Sequence, residues 1–416
     1  MILRTLYRFA WYLFGPVLHL GKWIGSAKSK KQIRGSFRAL QEVQNGIPPK
    51  KEGQKRYWVH CASWGEFEMA LPLVDRLQST ESIPSQWVFS FFSPSGYENA
   101  ALPKNSYRVY LPFDHPIWVS RFQSALQPDL AIWVKYEFWL HHLSQLQLAG
   151  TPFWIWNASF RPNHFIFQSW AKPWLLAVSA AEKIAVQRED DRQWLLKYKL
   201  KAQVLGDARA FQTRKRLAQA QAPGELAEWI RLRPTFLLGS SWPEEEERLM
   251  EFWARHPELS QSWNWIIAPH NPSRPLPQEG RALDAYGPFG VKYSLAGPRP
   301  DQNRLWLDGL GLLRSLYPLA QAAAVGGGFG RGLHNVYEAL AAGCAVLCGP
   351  VTDKFPEAAA FEQDGFLKRE LHWEPVLLEW LQNPQAIQDR GLAAAQAIQM
   401  QAERYQNALN DFLSQN

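Results

Sequence analysis

Val325-Gly-Gly-Gly-Phe-Gly-Arg-Gly-Leu-His-Asn-Val-Tyr-Glu338 is a short apolar run that breaks into a glycine-rich loop and then opens a helix. Glycines let backbone N–H groups come close to a phosphate, and a helix N-terminus adds partial positive charge. The stretch therefore reads as an anion cradle, with Gly327, Gly328 and Gly330 at its turn. His334 follows, and Asn335 and Glu338, three apart, share a helix face just beyond the loop. A carboxylate placed there accepts hydrogen bonds from two vicinal ribose hydroxyls, which points to a nucleotide rather than a bare phosphate. The fifth residue after Gly326 is Arg331, so G-x-G-x-x-G is not satisfied, and no G-x-x-x-x-G-K-[ST] occurs. A dinucleotide fold and a P-loop are thereby disfavoured. A glycine-rich strand-to-helix turn without a ligand stays open on these residues alone.

Around this stretch, β-rich runs alternate with helical ones. The first set is 57–63, 86–93, 107–113, 130–136, 153–159, 183–187 and 203–206; the second is 235–241, 265–269, 291–294, 304–308, 322–327 and 345–349. Most are apolar nearly throughout, as parallel strands buried on both faces are. With 416 residues the chain exceeds a single core. The reading is α/β: two tandem Rossmann-like parallel-sheet domains, each binding ligands at its strand C-termini and facing the other across a cleft. The boundaries drawn are a basic hydrophobic segment 1–31, an N-terminal Rossmann-like domain 32–212, a polar helical linker 213–233, a C-terminal Rossmann-like nucleotide domain 234–383 and a bracing C-terminal helix 384–416.

The net charge of +7 is local. Residues 1–41 carry Arg4, Arg8, Lys22, Lys28, Lys30, Lys31, Arg34 and Arg38 and no acid, so the rest of the chain is close to neutral. A nucleic-acid binder spreads its cations over a folded face, and no such partner is expected. Here they flank Phe9-Ala-Trp-Tyr-Leu-Phe-Gly-Pro-Val-Leu-His-Leu-Gly21, which is shorter than the ~20 apolar residues a span requires. An interfacial helix on an anionic membrane surface fits, inserting Trp11, Leu13 and Phe14. A cleaved signal peptide and a core-packed first helix are the alternatives. The 21 tryptophans suit aromatic packing, and Cys61, Cys344 and Cys348 read as buried, reduced thiols.

Several turns carry chemistry. Val59-His-Cys-Ala-Ser63-Trp-Gly65-Glu66 ends a strand and starts a helix; Ser63-x-x-Glu66 is a capping box, and Glu66 is also placed to act as a general base if burial raises its pKa. Ser93-Pro-Ser95-Gly96 and Lys135-Tyr-Glu137-Phe-Trp139 end neighbouring strands on the same rim. Asn157-Ala-Ser-Phe-Arg161 adds a cation suited to an anionic substrate, though it reads equally as a surface arginine. In the second half, Gly239-Ser240-Ser241 and Ala268-Pro269-His270-Asn-Pro-Ser-Arg274 close successive strands and offer phosphate contacts, with Ser241 alternatively a helix cap. Glu244-Glu-Glu-Glu247 reads as a solvated helix start. No metal-ligand spacing appears, and neither a metal nor any other cofactor is expected.

Taken in order, these motifs resemble the bacterial 3-deoxy-D-manno-octulosonic acid (Kdo) transferases of lipopolysaccharide and lipid A assembly. The similarity runs from the hydrophobic N-terminus through Ser63-x-Gly-Glu66, Ser93-Pro-Ser-Gly96, Glu137-Phe-Trp139 and Asn157-Ala-Ser-Phe-Arg161 to Gly206-Asp-Ala-Arg209. It continues in Ser240-Ser241, Pro269-His270 with Arg274, Asp308-Gly-Leu-Gly311 and the glycine-rich stretch. The resemblance implies a GT-B glycosyltransferase on the cytoplasmic face of the inner membrane, with CMP-Kdo as donor and a lipid A precursor as acceptor. By the same resemblance Glu66 is the base of an inverting, metal-independent transfer. Ser63, Gly65, Ser95, Gly96, Glu137, Arg161 and Arg209 then meet substrate. The nucleotide falls to Ser240, Ser241, Pro269, His270, Arg274, Gly311, Gly327, Gly328, Gly330, His334, Asn335 and Glu338. Trp64, Lys135 and Trp242-Pro243 depart from the family pattern. The competing readings are another GT-B enzyme, of the UDP-N-acetylglucosamine epimerase or transferase or lipid A disaccharide synthase type, and a non-catalytic membrane-tethered nucleotide-sugar binding protein.

Overall fold

A computed structural model describes residues 2–21, 23–81, 83–135, 137–160, 164–274, 291–353 and 355–414. The chain divides into two compact units, Met1–Gln212 with Glu403–Asn416, and Thr213–Ala402. Arg161 lies outside the described residues.

The first unit holds strands β1 (Arg56–Cys61), β2 (Gln86–Phe91), β3 (Ser106–Tyr110), β4 (Leu130–Val134), β5 (Phe153–Ala158), β6 (Lys183–Val186) and β7 (Gln203–Val204). They pair in the order β3-β2-β1-β4-β5-β6-β7, every pairing parallel. Parallel neighbours need crossovers, and helices supply them on both faces. The order reverses between β1 and β4, which puts a ligand crevice outside the carboxyl ends of those two strands.

The second unit repeats the plan with β8 (Thr235–Ser241), β9 (Asn264–Pro269), β10 (Val291–Lys292), β11 (Arg304–Trp306), β12 (Ala322–Val325), β13 (Ala345–Cys348) and β14 (Leu367–Arg369), ordered β10-β11-β9-β8-β12-β13-β14. These pairings too are parallel. Its reversal lies between β8 and β12, the strands that end in Ser240-Ser241 and in the glycine-rich loop. Strand β14 has no counterpart in the sequence reading: Leu-Lys-Arg is too short and too polar to stand out.

Residues 213–233, read as a linker, carry the end of helix Ala208–Leu217 and helix Gly224–Ile230, and Leu226, Trp229 and Ile230 are buried. The boundary drawn at residue 31 falls inside the continuous helix Ala27–Gly46. At the C-terminus, one helix runs Pro384–Ser414. Its Ile387 joins the second unit's core, and Tyr405, Leu409 and Phe412 join the first unit's.

Tryptophan fills both interiors. Trp58 and Trp133 meet edge to face at 5.4 Å between them on one side of the first sheet, and Trp253 and Trp265 do the same at 5.5 Å in the second unit. A fully buried tryptophan removes about 150–250 Å² from water. That is worth roughly 4–6 kcal/mol at ~25 cal/mol per Å². The three cysteines are buried free thiols.

The N-terminal helix Ile2–Gly21 splits its apolar residues between two faces. Leu3, Tyr7 and Trp11 turn inward: the Tyr7 hydroxyl donates to Asp114 Oδ2 at 2.9 Å, its ring lies 5.0 Å from Trp174, and Trp11 packs on Phe113 at 6.3 Å. Trp11 thus belongs to the fold, against the expectation that it inserts into lipid. Leu6, Phe9, Leu13 and Val17, at helical spacing, are all more than half exposed. Among the described residues no helix is long and apolar enough to cross a membrane.

Candidate active site

Three neighbouring strands of the first sheet, β2, β1 and β4, end side by side. After β1, Ser63 leads into helix Trp64–Thr80, and Glu66 stands in its first turn, buried. The serine half of the capping box is missing: the Ser63 hydroxyl makes no cap bond, and Glu66 Oε2 accepts the N–H of Ala62, one residue before the cap, at 2.5 Å. After β2, the Ser93 N–H donates to Ala62 O at 2.7 Å and so ties the second turn to the first. Ser93 Oγ and Ser95 Oγ lie 2.9 Å apart, and Ser93 Oγ accepts the Ser95 N–H. Gly96 is glycine for a packing reason: a Cβ there would stand 2.5 Å from the Phe91 ring and 3.0 Å from the Ser63 backbone. Gly65 has no such reason, since nothing lies within 4 Å of its missing Cβ. The space over Gly65, one residue before the buried carboxylate, is open.

After β4, Lys135 takes a left-handed conformation at φ 63°. Glu137 follows, its Oε2 accepting the Trp139 indole N–H at 2.8 Å. Burial pushes the Glu66 pKa up to about 8, with Glu137 adding to the rise and Lys135 opposing it. Glu137 is also raised by burial. The same Lys135 acts on Asp207. Burial pushes Asp207 up, but Arg209, bonded to both its oxygens, and Lys135 bring the net value below the usual carboxylate range. Glu66, Lys135, Glu137, Asp207 and Arg209 therefore form one electrostatic cluster. Arg209 is engaged by Asp207 at 2.6 Å.

The second unit brings most of its expected residues to the ends of β8, β9 and β12. Strand β8 bulges at Ser240, which takes a positive φ of 53°. The Ser241 carbonyl accepts the His270 N–H at 2.9 Å, joining the β8 and β9 ends just past Pro269. Trp242, His270 and His334 stack, with consecutive ring centroids 4.6 Å apart, and burial plus the neighbouring His270 bring the His334 pKa down to about 4. Arg331 caps the column 5.2 Å above Trp242.

Three local readings change. Glu245 and Glu246, expected to be solvated, are buried at 0% and 1% exposure. Glu245 accepts the N–H groups of both Trp242 and Gly327 at 2.9 Å, so the first anion in the glycine-rich loop is the protein's own. Its pKa rises to about 7, chiefly through burial. Glu246 accepts the Ser241 hydroxyl at 2.5 Å and pairs with Arg274, so Ser241 is not a helix cap. The helix after the loop, Tyr337–Ala341, has five residues and begins beyond Asn335, whose Oδ1 accepts the Tyr337 N–H at 3.1 Å. Asn335 and Glu338 therefore do not share a helix face, and little helix dipole acts on the loop. Backbone crowding accounts for Gly327 and Gly328: Gly327 has φ +91° with Gly332 O 2.1 Å from the position of a Cβ, and Gly328 lies against Gly349. Gly330 and Gly311, also at positive φ, have open space around them.

Glu338 lies 2.9 Å from Arg314, a partner the sequence reading did not pick out. Asp207, Glu245 and Glu246 were missed as well. The last two had a signal: at three- and four-residue spacing they share a face with Leu249, Phe252 and Trp253, which marks the inward side of that helix. Among the described residues no group of three or more His, Cys, Asp or Glu is arranged to hold a metal ion.

Residues 37–212 match the sequence model of the family described as 3-deoxy-D-manno-octulosonic-acid transferase (kdotransferase). The chain is 27% identical to the 3-deoxy-D-manno-octulosonic acid transferase of Aquifex aeolicus over 316 residues, 74% of this chain and 80% of that one. It is also 27% identical to the Haemophilus influenzae enzyme of the same name, over 72% of each chain. In fold it is similar to a UDP-N-acetylglucosamine 2-epimerase, with TM-score 0.54 and 13% identity over 83% of this chain and 94% of that one. The UDP-GlcNAc 2-epimerase of Methanocaldococcus jannaschii gives 0.52 and 14%, over 79% and 92%. The fold class is GT-B.

Proposed function

We propose that the chain, similar to the Kdo transferases, is a Kdo glycosyltransferase that moves Kdo from CMP-Kdo onto a hydroxyl of a lipid A precursor. Glu66 takes the hydroxyl proton, the acceptor oxygen bonds to the anomeric carbon, and that carbon's bond to the CMP phosphate breaks from the opposite side, with inversion. CMP leaves with the bonding electrons. The observation that carries this reading is Glu66 itself: a buried carboxylate at the reversal point of the first sheet, held near pKa 8, beside the open space over Gly65. A base poised near working pH transfers protons most effectively. Ser63, Ser95 and Glu137 line the same rim. In the second unit Glu338, steadied by Arg314, takes the ribose hydroxyls. His270, His334, Arg274 and the open turns at Gly330 and Gly311 receive the phosphate and the sugar acid. The reaction needs no metal ion.

The acceptor is a lipid, and the exposed row Leu6, Phe9, Leu13 and Val17 suits an interfacial helix at the cytoplasmic surface of an anionic inner membrane. The deciding experiment incubates the full chain with CMP-Kdo and a tetra-acylated lipid A precursor, with and without a chelator, and weighs the lipid by mass spectrometry. A mass gain of Kdo, lost in Glu66→Gln and indifferent to chelator, is the expected result. Gain of a hexosamine from a UDP-sugar, or no product with CMP-Kdo, would overturn it.

A further inference from the structure

A cavity of about 560 Å³ lies between the N-terminal helix and the helices Pro116–Leu126 and Leu140–Leu148 of the first unit. Arg4 and Arg8 from the first helix and Arg121 from the second line it, and no aspartate or glutamate does. None of the three arginines is ion-paired within the described residues. Three unneutralised guanidinium groups on one cavity repel each other, and an anion relieves that repulsion.

His141, 8% exposed, forms part of the wall. Its Nδ1 lies 2.6 Å from the Asp114 carbonyl, which can only accept, so Nδ1 carries the proton. Its Nε2 is buried and has no hydrogen-bond partner. A buried nitrogen left unpaired is costly unless a ligand meets it. In the neutral ring Nε2 is an acceptor, and a singly ionised phosphate monoester offers both the anionic oxygens the arginines bind and one P–O–H for Nε2. A diester has no such hydroxyl. We propose that this cavity is a binding site for a phosphate monoester.

Its mouth points to the kind of molecule that carries the phosphate. Ile117 and Leu148, 43% and 75% exposed, form apolar walls of the cavity, and an amphiphile with a phosphate head matches a basic pocket with an apolar rim. The lipid part rests on the membrane-surface reading above, whereas the phosphate site stands without it.

The test uses the full chain in two arms: calorimetric titration with glycerol 3-phosphate, and co-sedimentation with phosphatidylcholine vesicles doped with phosphatidic acid or, at matched charge, phosphatidylglycerol. Arg121→Gln and Arg8→Gln, both exposed and safe for folding, should each weaken binding about tenfold or more. Lys51→Gln, an exposed cation outside the cavity, should not. Phosphatidic acid should be preferred over phosphatidylglycerol. If glycerol 3-phosphate binds in an Arg121-dependent way but vesicles do not pellet, the site stands and the membrane reading falls. If vesicles pellet through Leu6 and Phe9 while Arg121→Gln and Arg8→Gln match Lys51→Gln in both arms, the membrane reading stands and the site is overturned.

Discussion

Glu66→Gln should reduce transfer by about 10²- to 10⁴-fold, the usual cost of losing a general base, while CMP binding stays unchanged. The environment of Glu66 makes the prediction sharper than a single loss. With a pKa of about 8, the wild-type residue is about one-tenth ionised at pH 7 and about nine-tenths at pH 9. The rate constant kcat/KM should therefore climb about tenfold across that interval and then level off. Glu137 adds to the upward shift, so Glu137→Gln should move the rise to lower pH; Lys135 opposes it, so Lys135→Met should move the rise higher. Stability gives a check that does not depend on turnover. The folded pKa lies above the ordinary 4.5, so the folded state holds this proton more tightly. That contribution is full below about pH 4.5 and is lost as pH climbs through about 8. Glu66→Gln, which cannot titrate, should therefore gain melting temperature relative to wild type at pH 9 compared with pH 6. Radiometric transfer assays over pH 6 to 10 and calorimetric melts of the same variants supply both readouts. A Gln variant keeping more than about a tenth of wild-type turnover, or a pH profile that ignores Glu137→Gln, would falsify the assignment.

Glu338→Ala should weaken CMP binding by about 10- to 150-fold through loss of charge-assisted hydrogen bonds, and an unchanged dissociation constant by calorimetry would remove Glu338 from the nucleotide. Glu245→Gln leaves one of two buried N–H groups, on Trp242 or Gly327, facing an amide donor; a cost of about 1–3 kcal/mol should show in urea unfolding, and unaltered stability would mean the loop does not depend on that carboxylate. Tyr7→Phe removes a hydrogen bond to the buried Asp114 and should cost about 1–3 kcal/mol, whereas Leu13→Ser on the exposed face should leave stability within about 0.5 kcal/mol; equal effects would contradict the two-faced reading of that helix.

The fold was legible because buried parallel strands announce themselves as apolar runs, and only β14, three residues of mixed character, escaped. The strand-to-helix turn at Ser63-x-Gly-Glu66 was legible too, because it lies where an apolar strand gives way to a helix. What stayed hidden depended on where side chains travel in three dimensions. Four consecutive glutamates look solvated until helical spacing places Glu245 and Glu246 beside Leu249 and Trp253, and the loop's first anion then turns out to be internal. The packing role of Gly96 was hidden as well, since the Phe91 ring and the Ser63 backbone that leave no room for a side chain come from the ends of two different strands. The pairing of Arg209 with Asp207 was not read from the sequence, because a partner only two residues away has to turn back onto it. Trp11 read as a lipid anchor because hydropathy counts apolar residues without saying which face of a helix they occupy.

The long C-terminal helix has a consequence for how the chain is made. Tyr405, Leu409 and Phe412 complete the core of the first unit, with Phe412 lying edge-on to Trp154 and Trp156 at 5.5 and 5.4 Å. Domains emerging from a ribosome usually close in order, N-terminal first. Here the first unit cannot close when its own strands have emerged: β1 through β7 must wait, with two tryptophans uncovered, while nearly two hundred further residues are synthesised. Nascent chains of this protein should therefore engage a holding chaperone until the last turns of the helix arrive, and a stop codon that removes only the final helical turns should damage the half of the molecule encoded first.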